Sequence, residues 1–301
     1  MTGHVTAPAA ALAAQLPGWA ALVRAPNPGP MTLDGTNTWV LGLPGAGGVV
    51  VVDPGPLDEG HLAAVAARGP VLGVLLTHGH PDHGEGLERF LTLTGAARLT
   101  FDGARAGAGA PGLAEGPAGS AAAMVGGVVE IAGLSVRALV TPGHTADSLC
   151  FLVESADERV VCTGDTILGR GTTVVAHPDG DLGDYLGSLT ALTAYEEVPA
   201  LPGHGPALAD CAAAARFYLA HRQARLDQVR QAVAAGAGTA AEVVATVYAD
   251  VDRALWPAAE WSVQAQLAYL DRADHRSDRP NRQADQVNRE SRPGAGGLDP
   301  A

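Results

Sequence analysis

Val71-Leu72-Gly73-Val74-Leu75-Leu76 runs directly into Thr77-His78-Gly79-His80-Pro81-Asp82-His83. The first six residues are an unbroken apolar run, the pattern of a buried strand. The stretch His78 to His83 then holds three histidines and one aspartate in six positions. His78 and His80 stand two apart in an extended segment, so both point to the same side. Pro81 suits a first helical position and turns the chain. Asp82 and His83 therefore project on a different bearing. One short loop offers two ligands to one metal ion and two to a neighbouring ion. Neutral imidazole and carboxylate are natural ligands of Zn²⁺.

Three residues further along complete the set. His144 stands in Thr141-Pro142-Gly143-His144-Thr145, just after an apolar run at Leu134–Val140. Asp165 stands in Thr163-Gly164-Asp165, after Val160–Cys162. His204 stands in Pro202-Gly203-His204-Gly205, after Val198–Leu201. Each follows the C-terminal end of an expected strand, where loops on a rigid sheet build active sites. The glycine beside each one lets backbone approach closely. His4, His61, His177, His221 and His275 lack this setting and read as surface or capping residues.

Around these loops, short apolar runs alternate with Gly/Pro turns. Thr38–Leu43 and Gly48–Val52 read as a hairpin. Asp58–Arg68 and Glu85–Leu93 read as helices. Arg98–Phe101, Val128–Ile131, Leu134–Val140, Leu149–Val153 and Val160–Cys162 read as strands, and Asp184–Tyr195 as a helix. Ala104–Gly119 has no periodicity and reads as a loop. From Ala207 to Ala235 one long helix is expected, with further helices at Ala240–Tyr248 and Trp261–Leu270. The division is an α/β body over residues 19–206, a helical domain over 207–270 and a disordered tail over 271–301.

The chain has 301 residues, 47% hydrophobic and 17% charged, which excludes a wholly disordered protein. All 19 basic residues are arginine and the net charge is −13, a field that repels nucleic acid and acidic membranes unless a local patch opposes it. Cys150, Cys162 and Cys211 are odd in number and lack CxxC spacing, as expected of buried free thiols. The N-terminal stretch has no basic region and is interrupted by Pro8 and Pro17, so no signal peptide is read. The expected location is cytoplasmic, with no membrane partner. Neither a GxSxG nucleophile motif nor a nucleotide-binding glycine loop stands out.

His78-x-His80-x-Asp82-His83, followed by His144, Asp165 and His204, resembles the metallo-β-lactamase superfamily. The resemblance implies an α/β fold, a four-layer αβ/βα metallo-β-lactamase sandwich, with a C-terminal helical (winged-helix-like) appendix. It also implies two Zn²⁺ per chain. His78, His80 and His144 would hold one, Asp82, His83 and His204 the other, and Asp165 would bridge them. The stretch Asn27-Pro28-Gly29-Pro30-Met31-Thr32-Leu33-Asp34-Gly35-Thr36-Asn37-Thr38-Trp39 resembles the opening of the β-lactamase-like protein 2 branch. So does the tail with His221-Arg222, Val247-Tyr248, Trp256 and Trp261–Leu270. That branch includes a single-strand-specific endoribonuclease.

The function implied is dinuclear zinc-dependent hydrolysis by a metal-bound hydroxide, with Asp82 as the catalytic residue that also orients the nucleophile. The first substrate reading is the phosphodiester of single-stranded RNA. The alternative is a small-molecule thioester or other ester, as in glyoxalase-II-like enzymes, and a second alternative is a mono-iron sulfur dioxygenase. Arg216, Arg222, Arg225 and Arg230 lie on the long helix and form an expected basic stripe for a carboxylate, phosphate or RNA backbone. Trp39, Tyr185, Trp256 and Trp261 are the aromatic candidates for base stacking, the last two favoured as core residues.

Overall fold

The computed structural model describes residues 16–101, 121–124 and 127–272. Two mixed sheets carry the body. The first has six strands in sequence order: β1 (Ala20–Arg24), β2 (Asn37–Leu41), β3 (Val49–Val52), β4 (Val71–Leu75), β5 (Ala97–Phe101) and β6 (Ala121–Met124). Its first three strands are antiparallel neighbours and the rest pair in parallel. The second sheet runs β11 (Ala200–Pro202), β10 (Arg159–Gly164), β9 (Leu149–Glu154), β8 (Leu134–Val140) and β7 (Val128–Ile131). Here only β10 and β11 are parallel.

Side-chain alternation along the strands builds the layers. Trp39, Leu41, Val50 and Val52 face the other sheet and pack on Leu134, Val136, Phe151, Val153, Val160 and Cys162. Their neighbours Val40 and Val51 point the opposite way, onto Leu62, Val65, Leu87 and Phe90. Those four belong to helices α1 (Glu59–Ala66) and α3 (Leu87–Thr94). On the far side Cys150, Leu152 and Val161 meet α4 (Leu182–Leu192) and α5 (Cys211–Ala234). The order is helix, sheet, sheet, helix, the expected four-layer sandwich.

The end of α5 extends beyond the body. Its Val229 and Ala232 pack with Val243 and Val244 of α6 (Ala240–Val247) and with Ala259 and Val263 of α7 (256–272), forming a separate small core. Thr239 and Glu242 start α6 with reciprocal side-chain-to-backbone bonds, a capping box.

Several elements differ from the sequence reading, each for a local reason. The helix expected over Glu85–Leu93 is α3, at Leu87–Thr94, and a separate short helix α2 (Pro81–Gly84) precedes it within the histidine motif. Gly86 separates them because its N–H bonds to Gly55 O at 2.9 Å instead of continuing the helix. The helix read from Asp184 begins at Leu182, because Asp181 accepts from the N–H groups of Gly183 and Asp184. The long helix starts at Cys211 instead of Ala207. Leu208 first pairs with Ala200, and Asp210 then caps the helix by accepting from Ala213 N.

The helix expected over Trp261–Leu270 starts earlier, at residue 256, where Pro257 sits in its first turn. The strand at Val71 is not buried throughout. Leu72 is 41% exposed, lying over Gly48, which has no side chain to cover it. Strand β6 in Ala121–Met124 was not expected, because an alanine run carries little strand signal. The expected loop Ala104–Gly119 falls outside the described residues. So does the tail apart from Asp271 and Arg272.

Candidate metal centre

Four strands deliver the site at their C-terminal ends. His78, His80, Asp82 and His83 follow β4, His144 follows β8, Asp165 follows β10 and His204 follows β11. β8 and β10 point the same way because β9 lies antiparallel between them. All the loops of the second sheet that carry site residues therefore open on one edge. Strand β2 itself clamps the His204 loop to the first sheet. Asn37 Nδ2 donates to the carbonyls of Pro202 and Gly205 at 3.0 and 2.8 Å, and Trp39 Nε1 donates to Pro202 O at 2.9 Å.

All seven residues singled out from the sequence converge. In one group, His80 Nδ1 stands 3.0 Å from His78 Nε2 and 3.1 Å from His144 Nε2. In the other, His204 Nε2 stands 3.2 Å from His83 Nε2 and 3.1 Å from Asp82 Oδ2. Asp165 lies between the groups. Its Oδ1 is 3.5 Å from His83 Nε2, and its Oδ2 is 3.4 Å from His204 Nε2 and 3.8 Å from His144 Nε2. Buried Asp165 Oδ1 has no hydrogen-bond partner among the described residues.

This donor set fits metal ions. Two nitrogens each about 2.0 Å from one tetrahedral zinc stand about 3.3 Å apart, close to the separations observed. The outer ring atoms fix which nitrogens face inward. His144 Nδ1 lies 2.7 Å from Val174 O, which can only accept, so the proton is on Nδ1. His83 Nδ1 lies 2.9 Å from Asp53 Oδ2. Thr77 Oγ1 donates to Asp53 Oδ2 at 2.7 Å, so it accepts from His78 Nδ1 at 3.0 Å. In each case Nε2 turns its lone pair to the centre. His80 presents Nδ1 instead.

Charge is divided between the groups. Burial holds His78 well below the ordinary histidine value, reinforced by the neighbouring histidines His83 and His144. Burial also lowers His144, which favours the neutral, ligating form. For His83, burial opposes a charge but Asp165 and Asp53 outweigh it and raise the pKa well above the usual range. His204 is likewise raised to about 9, as the hydrogen bonds it donates to Asp165 and Asp82 overcome burial. Burial alone would raise Asp165, yet His83 and His204 hold it well below the carboxylate range. Asp82 is lowered in the same way: hydrogen bonding to His204 and the charge of His83 outweigh burial.

Two glycines permit this crowding. A Cβ on Gly203 would stand 2.5 Å from Asp165 Oδ1 and 2.6 Å from His83 Cε1. Gly143 has φ +134, and a Cβ there would stand 2.3 Å from Tyr185 Cα. Gly143→Ala is expected to lower stability by about 3 kcal/mol, from overpacking against backbone and from strain. Chemical denaturation measures this. A variant within 0.5 kcal/mol of wild type, about the spread of neutral surface changes, would contradict the steric account.

Asp53 is the functional residue that the sequence reading missed. It is buried at the end of β3 with φ +55. Its Oδ1 accepts from Thr77 N at 2.7 Å, while Oδ2 serves Thr77 Oγ1 and His83 Nδ1. The signal was present. Val-Val-Val-Asp53-Pro-Gly sets a carboxylate after a strand, just as the Asp165 segment does. Asp53→Ala removes the acceptor that orients His83. It is expected to weaken zinc affinity about 10- to 100-fold, read by competition with a chromophoric chelator. Unchanged affinity would assign Asp53 a role in the fold alone.

Several side-chain expectations are corrected. His61 is buried, with Nε2 2.9 Å from Thr38 Oγ1, because it lies on the inner face of α1. His221 is half-buried and lines the cleft described below. His177 is exposed, as expected, whereas His4 and His275 fall outside the described residues. The four arginines of α5 do not make a free stripe. Arg216 pairs with Glu196 and Arg230 with Asp227, while Arg225 donates to Val247 O and stacks on Tyr248. Arg222 is buried. Of the stacking candidates, Trp39 and Tyr185 are buried, Trp256 packs partly into the small core, and Trp261 is 47% exposed instead of packed. Cys150, Cys162 and Cys211 are buried free thiols. Among the described residues no helix is long and apolar enough to cross a membrane.

A cleft of about 330 Å³ opens from His144 and Asp165 between body and appendix. Met31 and Leu168 line it from the body, and Val251 and Leu255 from the appendix. Arg170 bonds Asp34 at its edge, at 2.5 and 2.8 Å.

A family model described as the metallo-beta-lactamase superfamily matches residues 31–204. A second, the beta-lactamase associated winged helix domain, matches residues 239–274. The chain is similar to the lactamase-like protein aptB of Emericella nidulans, 32% identical over 250 residues that cover 77% of this chain and 75% of that protein. It is also similar to the atrochrysone carboxyl ACP thioesterase of Aspergillus chevalieri, 31% identical over 245 residues that cover 76% and 73%. Among solved structures, a beta-lactamase domain protein from Burkholderia ambifaria aligns with a TM-score of 0.71 at 24% identity, over 86% of this chain and 88% of that one. That last likeness bears on the fold alone.

Proposed function

The chain belongs to the metallo-β-lactamase superfamily, and on that premise we propose that it hydrolyses thioesters at a two-zinc centre. The observation that carries the reading is the pair of donor groups joined by Asp165 at the floor of a cleft with apolar walls. The thioester class is supported by the similarity to an acyl-carrier-protein thioesterase. Phosphodiester cleavage was implied by the branch resemblance and would need a free basic stripe and aromatics for stacking, and most of those side chains are engaged elsewhere. The substrate reading therefore shifts from single-stranded RNA to thioesters.

His78, His80 and His144 would hold one ion, Asp82, His83 and His204 the other, with Asp165 shared. Two such ions supply Lewis acidity to a carbonyl oxygen and lower the pKa of a water. The chain's own groups do the rest. Outward N–H bonds to Val174, Asp53 and Thr77 hold the histidine rings in place. Asp82 is 27% exposed while its partner His83 is buried. Its Oδ2 already contacts His204 Nε2 and Thr36 Oγ1. Asp82 Oδ1 is thus the atom left to accept a proton from the attacking water and pass it to the leaving sulfur. The water oxygen joins the acyl carbon as the C–S bond breaks, giving a thiol and a carboxylic acid that releases the second proton of the water to solvent as it ionises.

The test is a panel presented to the zinc-loaded protein: an octanoyl thioester, the matching oxyester and a labelled single-stranded RNA. The thioester is expected to be cleaved and the RNA left intact. Cleavage of RNA with the thioester untouched would return the phosphodiester reading. A protein that holds one iron and consumes oxygen with a persulfide would replace hydrolysis by sulfur oxidation.

A further inference from the structure

We propose that the guanidinium of Arg222 is the anion receptor of the cleft, binding a carboxylate or phosphate carried by the substrate. The inference rests on the thioester reading for the identity of the substrate, but the site itself is argued from charge and burial. Arg222 is 4% exposed on α5 and borders the cleft. Arginine is almost never buried unless paired, since a desolvated cation is costly without a counter-charge. Other arginines of this structure find carboxylates: Arg170 with Asp34, Arg216 with Glu196, Arg230 with Asp227 and Arg272 with Asp181. Among the described residues no carboxylate pairs with Arg222. Its Nη2 donates to Thr173 O, its Cζ lies 5.1 Å from the centre of the Tyr185 ring, and its buried Nε has no partner.

The position ties this charge to the reacting centre. Thr173 O holds Arg222, and the next carbonyl along, Val174 O, holds His144 Nδ1. Thr173 Oγ1 also donates to Asp165 O at 2.6 Å. Arg222, His144 and Asp165 border one cavity. Neighbouring groups do not neutralise the cation. Burial, Arg222 and Arg225 lower His221 to about 4, so it is uncharged at neutral pH. The hydroxyl of Tyr185 donates to Thr166 O and accepts from Arg222, and that of Tyr218 donates to Leu168 O, so both are neutral partners that bring no counter-charge. An anionic substrate group arriving in this cleft meets a desolvated guanidinium with donor capacity to spare.

Three thioesters separate the sources of the anion: octanoyl-pantetheine, its analogue with a carboxylate at the far end of the acyl chain, and octanoyl-pantetheine 4′-phosphate. For the zinc-loaded wild type, kcat/KM is expected to be about 10- to 100-fold higher for one of the anionic pair than for the neutral compound, through KM. A carboxylate preference places the anion on the acyl group, and a phosphate preference places it on the carrier arm. In Arg222→Met the ratio is expected to fall to about one, and Arg222→Lys to retain part of it. Without ligand, Arg222→Met is expected to melt no lower than wild type, since it removes a buried unpaired charge. A merely structural arginine would give a lower melting temperature.

A second arm needs no turnover. Inorganic phosphate or suberate is expected to raise the melting temperature of zinc-loaded wild type more than that of Arg222→Met. Comparison of the two proteins cancels anion binding at the metals. If no thioester is hydrolysed, the thioester reading fails and this arm still decides the anion site. The proposal is overturned if neither anion distinguishes the two proteins. It is also overturned if wild type shows no anionic preference, or if the preference survives in Arg222→Met. Should Arg222→Met not fold, the same comparisons run with Arg222→Lys, where an unreduced preference and an unreduced anion-induced shift overturn it.

Discussion

Asp82→Ala is expected to lower kcat/KM for thioester hydrolysis by about 10²- to 10⁴-fold, the range for losing a positioned general base. The residue combines two tasks. Its Oδ2 sits 3.1 Å from His204 Nε2 within the second donor group. Its partly exposed position lets the other oxygen reach water. The fold is expected to survive, because Asp82 is not in any of the hydrophobic clusters and lies in the first turn of the short helix α2. A melting temperature within a few degrees of wild type, together with the loss of turnover, is the expected pair of results. Retained turnover would remove Asp82 from the mechanism.

Stripping the metals is expected to lower the melting temperature by about 10 °C for each ion lost. An ion present at a thousand times its dissociation constant stabilises the folded state by about 4 kcal/mol, and each kcal/mol is worth about 2–4 °C in a domain of 150–250 residues. The buried donors explain why the effect is large. His78, His83, His144 and His204 are buried around Asp165. Without an ion, ring nitrogens only 3.0 to 3.2 Å apart must share protons or repel. Differential scanning fluorimetry with a chelator, followed by added zinc, reads both the fall and the recovery. A melting temperature indifferent to the chelator would mean that these donors are held together by the fold alone.

The site was legible in the sequence because its ligands are local or repeat one setting. His78-x-His80-x-Asp82-His83 carries its geometry in its spacing. His144, Asp165 and His204 each follow an apolar run and sit beside a glycine. The four layers were expected through the family resemblance alone, because Val49–Val52 and Leu149–Val153 are unbroken apolar runs whose side chains only the tertiary structure assigns to a face. Positions that depend on distant partners were not legible. Asp53 is defined by His83, 30 positions away. His61, buried on the inner face of α1, meets Thr38 Oγ1 at 2.9 Å, a partner 23 positions away that no helix pattern reveals. The arginines of α5 looked alike along the helix. Only the tertiary structure pairs Arg216 and Arg230 with acids and leaves Arg222 buried with no acid beside it among the described residues. Helix ends moved where a cap outcompeted periodicity, as Asp181 and Asp210 show.

The central claim is a centre of two ions held by two donor groups that Asp165 joins. Elemental analysis of the zinc-loaded protein after removal of loosely bound metal tests it most directly, beside the double variant Asp82→Ala/His204→Ala. Two zincs per chain in wild type and one in the variant are the expected result. A single ion in both proteins, or one iron per chain in wild type as purified and no second site on zinc loading, would contradict the dinuclear account.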